Sequence, residues 1–119
     1  MTGKPRLLIV DDEREILEFL TLVFRDCESE TAINTESALE ILHRRRFDVL
    51  ITDIKMPGAL GLTLIEAAKE KWPEMAIIVI TGHYQETPPH IEEKVHEWIL
   101  KPLTIEIIRD AVMTALERR

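Results

Sequence analysis

Disulfides, membrane spans and an excess of cations are what this sequence lacks. A single cysteine, Cys27, in 119 residues rules out an intramolecular disulfide framework and suits a reducing compartment, with an ordinary structural thiol. The longest apolar run, MAIIVI (75–80), is six residues, against roughly 18 to 20 for a helix that spans a bilayer. No cleavable leader pattern precedes it, so the expectation is a cytoplasmic protein with no membrane partner. Cations are in deficit: 15 Lys and Arg face 22 Asp and Glu, for a formal charge of −7. Such a surface repels phosphate backbones, which argues against direct nucleic-acid binding by this chain. Arg44, Arg45 and Arg46 form the only basic run, and they close a helical pattern where cations complement the macrodipole. The histidines, His43, His83, His90 and His96, show no zinc-like spacing. Repeats, linkers and low-complexity tracts are absent as well.

What is present fits one soluble domain over residues 1–119, with 45% hydrophobic and 31% charged residues to supply one core and a solvated surface. Three short aliphatic runs, RLLIV (6–10), DVLIT (48–52) and AIIVIT (76–81), and a shorter fourth, EWIL (97–100), are continuously apolar, as strands buried on both faces are. The polar ESETA (28–32) is the candidate for a further strand at a sheet edge, where charge discourages association. Helical stripes lie between them: Ile16, Leu20, Val23 and Phe24; Ala38, Leu39 and Leu42; Leu64, Ile65, Ala68 and Trp72; Ile108, Ala111, Val112 and Ala115. Pro73 and Pro102 mark helix boundaries, and Pro88-Pro89 predicts a short fourth helix starting near Pro89. Five alternations of strand and helix indicate an α/β protein, a parallel sheet covered on both faces.

Polar residues follow each central strand: Asp11 and Asp12 after the first, Asp53 after the third, Thr81 closing the fourth and Lys101 after the fifth. In an open parallel sheet the carboxyl ends share one rim, and ligands bind in the crevice outside it. Each residue alone has a bland reading as a cap, a strand residue or a solvated lysine; together on one rim they are hard to assign to chance. Gathered carboxylates repel by several kcal/mol per close pair at an effective dielectric of about 20, which a divalent cation relieves. Hard oxygen ligands suit Mg²⁺, with Mn²⁺ an alternative. A carboxylate beside such a cation, a lysine and a hydroxyl can accept a phosphoryl group, and Asp53 is the natural nucleophile. Glu13 is read simply as the start of the first helix.

The motifs VDDE, TDIKMPG, VITG and LKP, in this order and spacing over the whole chain, resemble the receiver domain of two-component response regulators. That resemblance implies a flavodoxin-like, doubly wound (βα)5 sandwich with strand order 2-1-3-4-5, and phosphorylation of Asp53 by a partner histidine kinase. It implies Mg²⁺ ligands Asp11 (through a bound water), Asp12, Asp53 and the backbone carbonyl of Lys55. Thr81 would hydrogen-bond the phosphoryl group and Lys101 would pair with it. Gly82 matches a position requiring a small residue, and Trp98 the aromatic switch position, for which a core aromatic is the alternative. Lys55 and His83 match neighbours that influence phosphoryl lifetime, and the Lys101–Pro102 bond is expected to be cis. The chain departs from the family at residues 83–98: Lys94 and Val95 stand where a Gly-Ala pair is usual. This puts the usual pairing through the fourth helix, fifth strand and fifth helix in doubt. The implied partners are the kinase, an output domain or downstream protein, and a second copy of the phosphorylated chain. The chain is thus a stand-alone receiver or the N-terminal part of a longer regulator, a switch that catalyses only its own phosphotransfer and slow autodephosphorylation. Two rivals remain. A small-molecule phosphatase lacks support because Ile54 and Lys55 replace an Asp-x-Asp pattern; the other is an interaction module that never meets phosphate.

Overall fold

Neighbouring residues of the first strand feed two different cores, and this alternation organises the molecule. The computed structural model describes residues 3–54, 61–82 and 87–118. Its elements, in chain order, are β1 (Arg6–Val10), α1 (Arg14–Val23), β2 (Glu28–Ala32), α2 (Thr35–Arg44), β3 (Val49–Thr52), α3 (Gly61–Lys71), β4 (Ala76–Thr81), α4 (Pro89–Glu92), β5 (Glu97–Leu100) and α5 (Ile105–Glu117). All strand pairs are parallel, and the sheet order is β2-β1-β3-β4-β5.

Successive side chains of a strand point to opposite faces. Leu8, Val10, Leu50, Ile77 and Val79 therefore pack on one side with Ala38, Leu42, Leu64, Ile65 and Ala68 of α2 and α3. Leu7, Ile9, Val49, Ile51, Ile78 and Ile80 pack on the other with Leu17, Leu20, Ile108, Ala111, Val112 and Ala115 of α1 and α5. Such double burial is why β1, β3 and β4 read as unbroken aliphatic runs. Each buried aliphatic side chain contributes about 1.5–3 kcal/mol relative to exposure, so these two layers supply most of the driving force.

β2 is the polar edge strand that ESETA suggests, and Glu30 on it pairs with Arg45 at 2.7 Å. Arg44 is the last residue of α2 and Arg45 its C-cap, so this part of the basic run sits at a helix C-terminus. Asp48 starts the second aliphatic run, DVLIT, but lies just before β3; its carboxylate accepts the Arg6 N–H at 2.8 Å. Trp72 ends one residue beyond α3, half-buried, with its indole N–H donating to the Leu42 carbonyl at 3.0 Å. α4 is short, begins at Pro89 and is anchored by the buried Ile91. Cys27 is a buried thiol of the α1–α5 layer. Among the described residues no helix is long and apolar enough to cross a membrane.

Candidate functional site at the carboxyl rim

Strand register delivers the rim residues to one place. Val10 pairs with Thr52, so β1 and β3 stop level, while Thr52 pairs with Val79 and Thr81 with Leu100, so β4 and β5 stop level with each other two residues further along the same rim. The ladder then continues past the strands. Asp11 N–H donates to the Ala32 carbonyl at 3.1 Å, Asp53 N–H to Val10 at 3.2 Å, and Lys101 N–H to Thr81 at 2.8 Å. These bonds fix three functional backbones before any side chain is considered.

The side chains converge on the Lys101 ammonium. Its Nζ lies 3.1 Å from Asp53 Oδ2, 3.0 Å from Glu13 Oε2 and 3.4 Å from Asp11 Oδ2. Asp11 and Asp53 are buried, only 2% and 5% exposed, whereas Asp12 and Glu13 face solvent. Asp11 is held at both oxygens, because its Oδ1 accepts the Glu13 N–H at 2.9 Å. Burial nevertheless keeps its carboxyl above the usual carboxylate range; the Glu13 N–H and the Lys101 charge pull it down, and the charge of Asp53 adds to the rise. Burial of Lys101 opposes its charge, but its bonds to Glu13 and Asp53 and the field of Asp11 prevail and hold the ammonium protonated well above its ordinary value.

Among the described residues the Lys101 ammonium faces four carboxylates, more charge than it can neutralise. Ligand oxygens of Asp11, Asp12 and Glu13 all lie within 4.8 Å of one another, and Asp11 and Glu13 share the Lys101 ammonium with Asp53. An all-oxygen, acidic donor set on a rigid rim fits a small hard divalent cation, which takes one or two carboxylates and retains water. When bound, such a cation neutralises carboxylate charge and the charge of incoming phosphoryl oxygens.

Thr81 closes β4, buried beside this crevice. Gly82 is exposed, and a Cβ there would meet nothing within 4 Å. Among the described residues there is thus room for a side chain at this position. Trp98 is half-buried on β5, opposite Val79, packed against the cluster that contains Leu8 and Ile91. The Lys101–Pro102 bond is cis. Lys55 and His83 lie outside the described residues.

Two residues at the site escaped the sequence reading. Glu13 does begin α1, as its N-cap, but without a side-chain capping bond; its carboxylate goes to Lys101 instead. The signal was its place directly after the aspartate pair. Gly61, the first residue of α3, backs onto the Asp53–Ile54 backbone so closely that a Cβ would stand 2.8 Å from the Asp53 carbonyl oxygen. A glycine opening a helical stripe was its only trace.

Comparison with known proteins agrees with this geometry. Residues 7–113 match the model of the response regulator receiver domain. The response regulator PilR of Pseudomonas aeruginosa is 31% identical over 98% of this chain and 27% of its own length. The chemotaxis protein CheY of the same organism is 27% identical over 95% of this chain and 97% of its own. The chain spans about a quarter to a third of the length of PilR and of a receiver protein from Anaeromyxobacter, the latter 41% identical over 66% of this chain. Among solved structures, a receiver domain from Clostridium thermocellum superposes with a TM-score of 0.86 at 30% identity, covering 96% of this chain and 95% of that one. The response regulator TrrA of Thermotoga maritima, solved in complex with Mg²⁺-BeF, gives 0.85 at 29% identity, covering 94% and 99%. Sheet order, rim chemistry and these likenesses coincide, and the chain belongs to the response regulator receiver domains, the signalling switches of two-component systems.

Proposed function

We propose that Asp53 is the phosphoacceptor of this receiver and that Asp11, Asp12, Asp53 and the Lys55 carbonyl hold Mg²⁺ beside it. The single observation that carries the reading is the Lys101 ammonium, 3.1 Å from a buried Asp53 carboxylate at the rim where Asp11 also converges. One Asp53 oxygen bonds to phosphorus as the P–N bond of a kinase phosphohistidine breaks. Its electron pair leaves on the imidazole nitrogen, which takes a proton from solvent. Positioning and charge neutralisation dominate such transfers. Lys101 meets the equatorial oxygens, Thr81 donates a hydrogen bond, and Gly82 leaves the approach open.

In this reading phosphorylation draws Thr81 and Trp98 inward and remodels the face formed by α4, β5 and α5, because the phosphoryl group bonds one conformer better than the other. That face would meet an output domain, a downstream protein or a second phosphorylated copy. Lys55 and His83 would tune phosphoryl lifetime by admitting or excluding the water of autodephosphorylation. The working compartment is the cytoplasm.

The test is intact-mass measurement after incubation with Mg²⁺ and a small-molecule phosphodonor. One phosphoryl group should add to the wild type and none to Asp53→Asn. An unchanged gain in Asp53→Asn would move the acceptor elsewhere, and multiple turnover on a phosphate ester would revive the phosphatase reading.

A further inference from the structure

Lys101 has two kinds of carboxylate partner, and they differ in burial. Asp53 and Asp11 lie inside the crevice, with side chains 6% and 3% exposed, while the Glu13 side chain is 57% exposed at its mouth. The backbones on both sides are fixed. Lys101 N–H is bonded to Thr81, and the Glu13 carbonyl accepts the N–H groups of Ile16 and Leu17 at 3.1 and 3.3 Å. The flexible part is the lysine stem, whose ammonium sits within 3.1 Å of one oxygen from each side.

A divalent cation and the ammonium compete for the same oxygens. When the cation takes Asp11 and Asp53, their pull on Lys101 falls, and an ammonium with no other anion would swing out to water. Glu13 is already in hydrogen-bonding contact with it and is free of any capping duty. We infer that Glu13 is a positioning residue, an external anchor that retains the Lys101 ammonium at the crevice mouth while Asp11 and Asp53 turn to the cation. Glu13 acts through Lys101, and this role rests on the phosphoacceptor reading above.

The test is a double-mutant cycle on the full chain, with Mg²⁺ affinity measured by calorimetry. Glu13→Gln should weaken Mg²⁺ binding about 3- to 10-fold, in the usual range for contacting residues, because the ammonium then stays on Asp11 and Asp53. In a Lys101→Met background the same substitution should have little effect. A second readout needs no affinity: the Lys101 side-chain ammonium resonance should persist in Mg²⁺-saturated wild type and be lost to solvent exchange in Glu13→Gln. The same spectra confirm that each variant is folded. Equal weakening with and without Lys101 would make Glu13 a direct contributor to the cation and overturn the inference, as would unchanged affinity in Glu13→Gln. Failure of the wild type to bind Mg²⁺ would instead overturn the phosphoacceptor reading along with it.

Discussion

Gly61 and Ile54 are packed backbone to backbone: a Cβ on Gly61 would lie 2.5 Å from Ile54 Cα, as well as 2.8 Å from the Asp53 carbonyl oxygen. The start of α3 is thereby the floor under the proposed acceptor. Backbone atoms on both sides cannot yield as a side-chain tip would. Gly61→Ala should therefore destabilise the domain by about 1–3 kcal/mol and slow phosphorylation by shifting Asp53. Denaturant midpoints and the rate of phosphoryl mass gain measure the two effects; a wild-type midpoint would show that α3 can back away without cost.

Asp11 carries a pH signature. Its folded carboxyl is held above the ordinary value of 3.8, chiefly by burial. Protonated Asp11 therefore favours the folded state, fully below the ordinary value, and that advantage is lost as pH rises through the raised one. At neutral pH and without Mg²⁺, Asp11→Asn should accordingly stabilise the fold, on the order of 1 kcal/mol, with no gain near pH 3. Unfolding midpoints at the two pH values test the sign, and loss of stability in the metal-free variant at neutral pH would contradict it.

Lys101 works in the opposite direction. Removing it in Lys101→Met leaves Asp11 and Asp53 buried without their cation, at a cost of about 1–3 kcal/mol when Mg²⁺ is absent, discounted from the range for fully buried pairs. Its ammonium is held above the ordinary value of 10.5, so this contribution is full below that value and is lost only as pH rises through the raised one. The stability difference between wild type and variant should be the same at pH 7 and pH 9. Mg²⁺ should narrow it, because a divalent charge replaces the missing one.

Cation binding should itself be visible as stability. Mg²⁺ at about 100 times its dissociation constant should add about 2.7 kcal/mol to the folded wild type, and Mn²⁺ should act likewise. Asp12→Asn and Asp53→Asn should each lose most of that increment. Thermal melts with and without the ion suffice, and an undiminished rise in Asp53→Asn would remove that residue from the ligand set.

Much of this was readable from residue order alone. The unbroken runs of β1, β3 and β4 announce double burial, and the polar ESETA declares an edge because a strand with one neighbour can keep its charges wet. Pro89 fixed where α4 could begin, through a missing N–H that only a first turn tolerates. Less legible were boundaries such as Asp48, which hydrogen-bonds along the ladder direction yet falls outside β3.

Sequence by itself determined the alternation of elements, the two apolar layers and the placing of Asp11, Asp12, Asp53, Thr81 and Lys101 at strand ends, because side-chain periodicity and backbone hydrogen bonding are local rules. Only the tertiary structure decided which charges meet. The Lys101–Glu13 contact joins residues 88 positions apart, and it depends on β5 and the start of α1 opening onto the same crevice. The closeness of Gly61 to Asp53 depends in the same way on how α3 seats against the sheet. Distances of this kind follow from packing, which no residue pattern encodes one position at a time.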